Sequence, residues 1–513
     1  MERGRRARRW LALIVAAGLA GSLLSTPAGA DDGAGSGSVG AVTWGACPAD
    51  VAEKAPQLEC AEIPVPLDYD EPHGTTIKIT VSRQASSDPA KRRGILLLNP
   101  GGPGGAGLSQ PADLVNLGAP ASVLDSYDLI GMDPRGVGHS SPVSCGFTAD
   151  QDYRGNIPPF AADAAAVERQ AEAARKIADQ CAEHDQDGRL RHLTTANTAR
   201  DLDRIRVALG EQKLNFFGLS YGSALGAAYA SLFPETTDRL IIDSNVGDTH
   251  LGYEGMRQFG LGAEQTFPAF AKFAAARHDA YGLGRTPAAV RRNYLELAER
   301  LDREPVDGVD GALARFLVFV GLYSEKGFAP TAQLLQALGD SDAAAVRRRL
   351  AERPPVGPAQ PSTPAEKKTD ALSPYDNTWS AFLAVTCNDS DWPEDVATYQ
   401  REVAKDRARF PLYGAAGSNI NPCAFWHHEP SEPPVAINDN GPANVLVVQN
   451  RRDPATPYLG GLKIRQAFGD RARLVSVDGV GHGVYLYDDD PCAMNVATQY
   501  LVDGTWPRRD VTC

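Results

Sequence analysis

The chain has 513 residues, more than one compact domain usually needs, and its 43% hydrophobic content suffices for a buried core. Fifty-one Lys and Arg against 64 Asp and Glu leave a net charge of −13. That sign argues against nucleic-acid binding, which leaves a basic footprint, and against adsorption to anionic lipid.

The first thirty residues read as a targeting segment. Five arginines fall between Met1 and Arg9, Trp10 to Leu24 is apolar, and Ala28-Gly29-Ala30 is a small-x-small cleavage site. The apolar run is shorter than the ~20 residues that span a bilayer, so export with cleavage near Ala30 is expected, with no stable membrane association. Arg8-Arg9 also admits the twin-arginine route. Cleavage removes five arginines and one glutamate and takes the net charge to −17. All eight cysteines, Cys47, Cys60, Cys145, Cys181, Cys387, Cys423, Cys492 and Cys513, lie beyond that point, which in an exported chain points to disulfides. Eight cysteines allow roughly a hundred connectivities. Pairing sequence neighbours closes the shortest loops and is the working expectation.

From Glu62 the sequence alternates short strands and turns. Ile63 to Tyr69 and Thr76 to Val81 read as a hairpin. Gly94–Asn99, Tyr127–Met132, Leu214–Phe217 and Arg239–Asp243 are short apolar runs, with helical patterns at Ala164–Glu183 and Thr195–Leu209 between them. Strands buried on both faces and alternating with helices predict an α/β fold, a mostly parallel sheet covered on both sides. After Asn245 the pattern turns helical, at Tyr253–Arg277, Pro287–Glu304 and Thr331–Arg353. Five prolines in the eleven residues from Pro354 to Pro364 predict an extended linker. Strands return at Asn444–Gln449 and Arg473–Val477, and Cys492–Val502 is the last helix. The expected organisation is a signal peptide over 1–30, a core over 31–245, a helical insertion over 246–430 and the rest of the core over 431–513.

Gly218-Leu219-Ser220-Tyr221-Gly222 stands between a predicted strand and a predicted helix, the setting of a nucleophilic serine at a sharp turn. A serine at neutral pH needs a base and a group to orient that base. Of nine histidines, His482 in Gly479-Val-Gly-His-Gly483 follows a strand, on a loop at its C-terminal edge. The loop after the preceding strand supplies Asp453. Asp243, at an earlier strand end, is the rival acid. The order Ser220, Asp453, His482 is that of α/β-hydrolases. Asn99-Pro-Gly101-Gly102-Pro-Gly-Gly105 follows another strand and offers backbone N–H groups, so Gly102 and Tyr221 are the candidate oxyanion donors. The adjacent His427 and His428 are a weak metal signal. No metal and no cofactor is expected.

Asn99-Pro-Gly-Gly-Pro-Gly-Gly, Asp133-Pro-Arg-Gly-Val-Gly-His-Ser140, Gly218-Leu-Ser-Tyr-Gly-Ser-Ala-Leu-Gly226, Asp453-Pro-Ala-Thr-Pro457 and Gly481-His-Gly483 together resemble the secreted tripeptidyl aminopeptidases of actinobacteria, a branch of the prolyl-aminopeptidase-like α/β-hydrolases. The likeness covers nearly the whole chain after the signal segment, including Val385-Thr-Cys387-Asn-Asp389. It implies a helical lid over the site and removal of short units from peptides with a free N-terminus. The segment after Asp243 departs from the family's pattern, reading Ser-Asn-Val-Gly-Asp-Thr-His.

An aminopeptidase must also recognise an ammonium group, for which Asp389 and Glu264 are the candidate carboxylates. The alternative enzyme is an esterase or amidase using the same triad. A non-catalytic binding module on this fold would be expected to lose a triad member or an oxyanion glycine, and all are present.

Overall fold

The computed structural model describes residues 42–151, 153–155, 157–248, 251–353 and 373–513. The expected signal segment and the proline-rich linker lie outside these residues. Among them, ten strands form one sheet: β1 (Gly45–Ala46), β2 (Glu59–Pro66), β3 (Thr76–Gln84), β4 (Gly94–Asn99), β5 (Tyr127–Met132), β6 (Leu214–Leu219), β7 (Thr237–Asp243), β8 (Val445–Arg452), β9 (Ala472–Val480) and β10 (Val511–Thr512). The spatial order is β1-β2-β3-β5-β4-β6-β7-β8-β9-β10. The hairpin β2–β3 is antiparallel, β3 joins β5 antiparallel, and β5 through β10 run parallel.

Strand side chains alternate between two cores, as a period of two requires. Ile95, Leu97, Phe216 and Ile242 face one side, where the helices Thr195–Ala208 and Tyr221–Leu232 pack. Leu96, Leu98, Phe217 and Ile241 face the other, against the helix Pro491–Asp503. Because β4 and β6 through β9 are parallel, Asn99, Leu219, Asp243, Arg452 and Val480 all end at one edge. The loops leaving those residues share that edge.

The insertion follows β7, the sixth strand if the two-residue β1 is left aside. It contains the helices Tyr253–Ala275, Pro287–Leu301, Gly311–Gly321, Phe328–Gly339, Ala343–Ala351, Pro374–Asn388 and Val396–Arg409. The single helix expected over Thr331–Arg353 is two helices. Ser341 sits at φ 55°, which an α-helix cannot contain, and the Asp342 carboxylate caps the second helix by accepting the Ala345 N–H at 3.0 Å.

Disulfides join Cys47 to Cys60, Cys145 to Cys181, Cys387 to Cys423 and Cys492 to Cys513, and among the described residues no cysteine is free. The loop after β5 is fixed by a buried ion pair. Arg135 donates to both Asp201 oxygens at 2.7 Å, and its remaining N–H groups meet the carbonyls of Pro66, Leu67 and His192. Full hydrogen bonding is what makes a buried pair tolerable.

Candidate active site

Ser220 stands alone between the end of β6 and the helix Tyr221–Leu232, with φ 60° and ψ −122°. Such a conformation costs a non-glycine residue about 1–3 kcal/mol and persists only where neighbours enforce it. Here the Ser220 N–H donates to the Asp243 carbonyl at 2.9 Å, and the Ser220 carbonyl accepts the Ser223 N–H and hydroxyl at 2.8 and 2.6 Å. The turn is also sterically exclusive. A Cβ on Gly218 would lie 2.2 Å from the Gly222 carbonyl oxygen, so this position admits only glycine.

Asp453 is fully buried at the start of the loop after β8. Its Oδ1 accepts the N–H groups of Ala455 and Thr456, both at 2.9 Å, and its Oδ2 accepts the Thr456 hydroxyl at 2.8 Å. His482 Nδ1 lies 2.9 Å from Oδ2 and 3.1 Å from Oδ1. A carboxylate only accepts, so Nδ1 carries the proton and, in the neutral ring, Nε2 holds the lone pair. Burial lowers the imidazole pKa, but the Asp453 charge and hydrogen bond, with the charge of Asp243, outweigh it and hold it above 6.5.

The histidine loop is pinned along its backbone. Asn450 donates from Nδ2 to the carbonyls of Gly481 and Gly483 at 3.1 and 3.2 Å, and the Gly483 N–H meets Ser244 Oγ at 2.7 Å. Asp243, the rival acid, accepts the N–H groups of Val484 and Tyr485 with its carboxylate. It orders the loop and is not the hydrogen-bond partner of the imidazole. Burial pushes its pKa up to about 7, against the pull of those N–H groups.

The glycine loop after β4 abuts the elbow. A Cβ on Gly101 would sit 3.0 Å from Ser220 Cβ and 3.3 Å from the Tyr221 nitrogen. The Gly101 N–H is taken by Asn99 Oδ1 at 3.0 Å, while Gly102 follows at φ 114° on the exposed side. Asp133 ties the far end of this loop to the loop after β5. Its Oδ1 accepts the N–H groups of Gly107 and Leu108 at 2.8 and 3.3 Å, and its Oδ2 that of His139 at 2.8 Å.

The two carboxylates expected to meet an ammonium group are engaged within the protein. Glu264 pairs with Arg291 at 2.8 Å and accepts the Leu412 N–H at 3.0 Å, which makes it a tie between parts of the insertion. Both oxygens of Asp389 bond Thr195. Asn450, Ser244, Thr456 and Tyr323 complete the site. Thr456 is marked in the sequence by lying three residues after Asp453, whereas nothing local marks the other three.

A mostly parallel sheet in this order, with a strained serine after β6 and a buried Asp–His pair on the last two long loops, defines an α/β-hydrolase. The α/β-hydrolase fold family matches residues 94–311, and the TAP-like protein family matches residues 410–513. The tripeptidyl aminopeptidase of Streptomyces lividans is 34% identical over 478 residues, covering 92% of this chain and 86% of that protein. Serine protease Hip1 of Mycobacterium tuberculosis is 29% identical over 472 residues, with 88% and 87% covered. Carboxylesterase B of the same organism is 30% identical over 486 residues, with 92% and 89% covered. The chain belongs to the tripeptidyl aminopeptidase family of α/β-hydrolases.

Proposed function

We propose that this chain is a secreted serine exopeptidase that releases tripeptides or other short units from peptides with a free N-terminus. The observation that carries the reading is the buried Asp453–His482 pair on loops leaving the same sheet edge as a serine held at positive φ, in a chain 34% identical to a tripeptidyl aminopeptidase. Four disulfides support export.

Ser220 Oγ attacks the scissile carbonyl and its proton passes to His482 Nε2. Asp453 orients the ring through Nδ1 and stabilises the imidazolium. The N–H groups of Gly102 and Tyr221 hold the oxyanion, each worth about 3–4 kcal/mol of transition-state stabilisation. His482 then protonates the leaving amine, the C–N bond breaks, and an acyl-enzyme remains on Ser220. Water attacks the ester and gives its proton to His482; the C–O bond to Ser220 then breaks, His482 returns the proton to Oγ, and the N-terminal fragment leaves with a new carboxyl group. The insertion, over 246–430, acts as a lid that admits a chain end and recognises its ammonium group.

The relative named carboxylesterase B favours a second reading, a small-molecule esterase with the same residues. Chromogenic aminoacyl, dipeptidyl and tripeptidyl amides, each free and N-acetylated, together with simple esters, separate the two. Fastest turnover of the free tripeptidyl amide supports the exopeptidase. Equal rates on free and blocked amides support the esterase or amidase.

A further inference from the structure

Asp389 follows the helix Pro374–Asn388, and a chain of hydrogen bonds connects it to the elbow. Its Oδ1 accepts the Thr195 N–H at 2.7 Å and its Oδ2 accepts the Thr195 hydroxyl at 2.5 Å. The one hydroxyl proton of Thr195 is thereby used. The 2.7 Å contact between Thr195 Oγ1 and the Tyr221 hydroxyl is therefore one in which Tyr221 donates. Thr195 and Tyr221 are buried, so water does not compete for these bonds.

The same helix supports the glycine loop. A Cβ on Gly104 would lie 2.5 Å from the Thr378 carbonyl oxygen and 3.1 Å from the Phe382 nitrogen. Its C-terminal end is itself held. Asn388 Nδ2 donates to the carbonyls of Leu190 and Leu193 at 2.7 and 3.2 Å, Trp426 Nε1 donates to Asn388 Oδ1 at 2.8 Å, and Cys387 is bonded to Cys423. One helix of the insertion thus touches both segments that carry the candidate oxyanion donors, the glycine loop directly and Tyr221 through Thr195.

We propose that Asp389 is a positioning residue for the oxyanion hole, fixing the Tyr221 amide through Thr195 and the Tyr221 hydroxyl. The proposal rests on the reading of the Tyr221 N–H as an oxyanion donor. Such a donor must be held to within about 0.5 Å of its productive place. Tyr221 is the first residue of its helix, and its ring is a rigid lever. With the hydroxyl pinned, the elbow cannot roll about the axis joining β6 to the helix. This role replaces that of an ammonium anchor for Asp389, and the two differ in what a substitution changes.

The test is steady-state kinetics of Asp389→Asn, Thr195→Val and Tyr221→Phe on a free tripeptide 4-nitroanilide and its N-acetylated counterpart. Each variant is expected to lose about 10- to 100-fold in kcat with KM within about twofold of wild type. The ratio of free to acetylated rates stays that of wild type. Thr195→Ser recovers most of the rate that Thr195→Val loses. The pair Asp389→Asn with Tyr221→Phe is no slower than the slower single variant, as expected for one chain. A tripeptide boronate, whose adduct on Ser220 fills the oxyanion site, weakens by the same factor as kcat/KM, while the product tripeptide binds unchanged. Should Asp389→Asn fail to fold, Tyr221→Phe and the two Thr195 variants carry the test. A rise in KM confined to the free amide, with collapse of the free-to-acetylated ratio, would make Asp389 the ammonium anchor and overturn the proposal. So would full kcat in Tyr221→Phe. Activity in Ser220→Ala would instead bring down the site reading itself, a separate result.

Discussion

The main-chain N–H of His482 donates to the carbonyl of Tyr323 at 2.8 Å, so a turn of the helical insertion holds the loop that carries the imidazole. Ser324 pairs with Gly481 in an isolated antiparallel bridge, and the Tyr323 ring meets the His482 ring edge-on with centroids 5.2 Å apart. The insertion therefore contacts the loop of the base through both backbone and ring. Removing the ring in Tyr323→Ala forfeits an aromatic contact worth about 0.5–1.5 kcal/mol. If the ring holds the imidazole in its reactive orientation, kcat falls about 2- to 10-fold with little change in KM. Phenylalanine at this position keeps the ring and restores the rate.

The imidazole must be neutral to take the serine proton, so activity falls as pH drops through the His482 pKa. Asp453 and Asp243 raise that pKa above 6.5 despite burial. The acidic limb of a kcat/KM profile is expected to have its midpoint above pH 6.5. A midpoint below 6, or a flat profile from pH 5 to 8, contradicts the assignment.

Asp243 separates a structural acid from a catalytic one. Its pKa is raised from 3.8 to about 7 in the folded protein, which therefore holds this proton more tightly than the unfolded chain does. The associated stabilisation is fully present below about pH 4 and is lost as pH rises through 7, on the order of 4 kcal/mol in all. Wild type should lose more thermal stability between pH 5 and 8 than Asp243→Asn, which carries no ionisable group there. Asp453→Asn should cost roughly 10³- to 10⁴-fold in rate, as loss of the group that orients the imidazole does, and Asp243→Asn far less.

Titration of the denatured, non-reduced mature protein is expected to find no thiol. Replacing Cys387 and Cys423 together by alanine should lower stability by about 2–5 kcal/mol, since the bridge joins the end of the helix Pro374–Asn388 to the segment after the next helices. One reactive thiol in the wild type would contradict the pairing.

Much of the core was legible because its signals are local. β4 and β6 are runs of six buried residues, and Gly218-x-Ser-x-Gly222 needs only a strand before it and a helix after it. The acid and the histidine were legible because each follows a strand in a fixed chain order. The helix Pro374–Asn388 was not, because thirteen of its fifteen residues are buried, and a helix covered on nearly all sides shows no polar face in its sequence. Tyr323 and Asn450 were missed for a different reason. Their roles exist only through a contact with a loop far away in sequence, and a backbone carbonyl leaves no trace in residue identity. Glu264 and Asp389 were singled out by charge alone. What they bond, Arg291 and Thr195, is decided by how the helices of the insertion pack against each other and the core.

Ser220, His482 and Asp453 are proposed to cleave short units from peptides with a free N-terminus. An N-acetyl group removes the ammonium charge and its donors, and leaving the group that receives them desolvated without a partner typically costs about 3–5 kcal/mol, a hundredfold or more in rate. The most direct measurement compares hydrolysis of a free tripeptide 4-nitroanilide with its N-acetylated form by wild type and by Ser220→Ala. A preference of about a hundredfold or more for the free amide is expected, with loss of both activities by several orders of magnitude in Ser220→Ala. Equal rates on the two amides, or undiminished hydrolysis without the Ser220 hydroxyl, would contradict it.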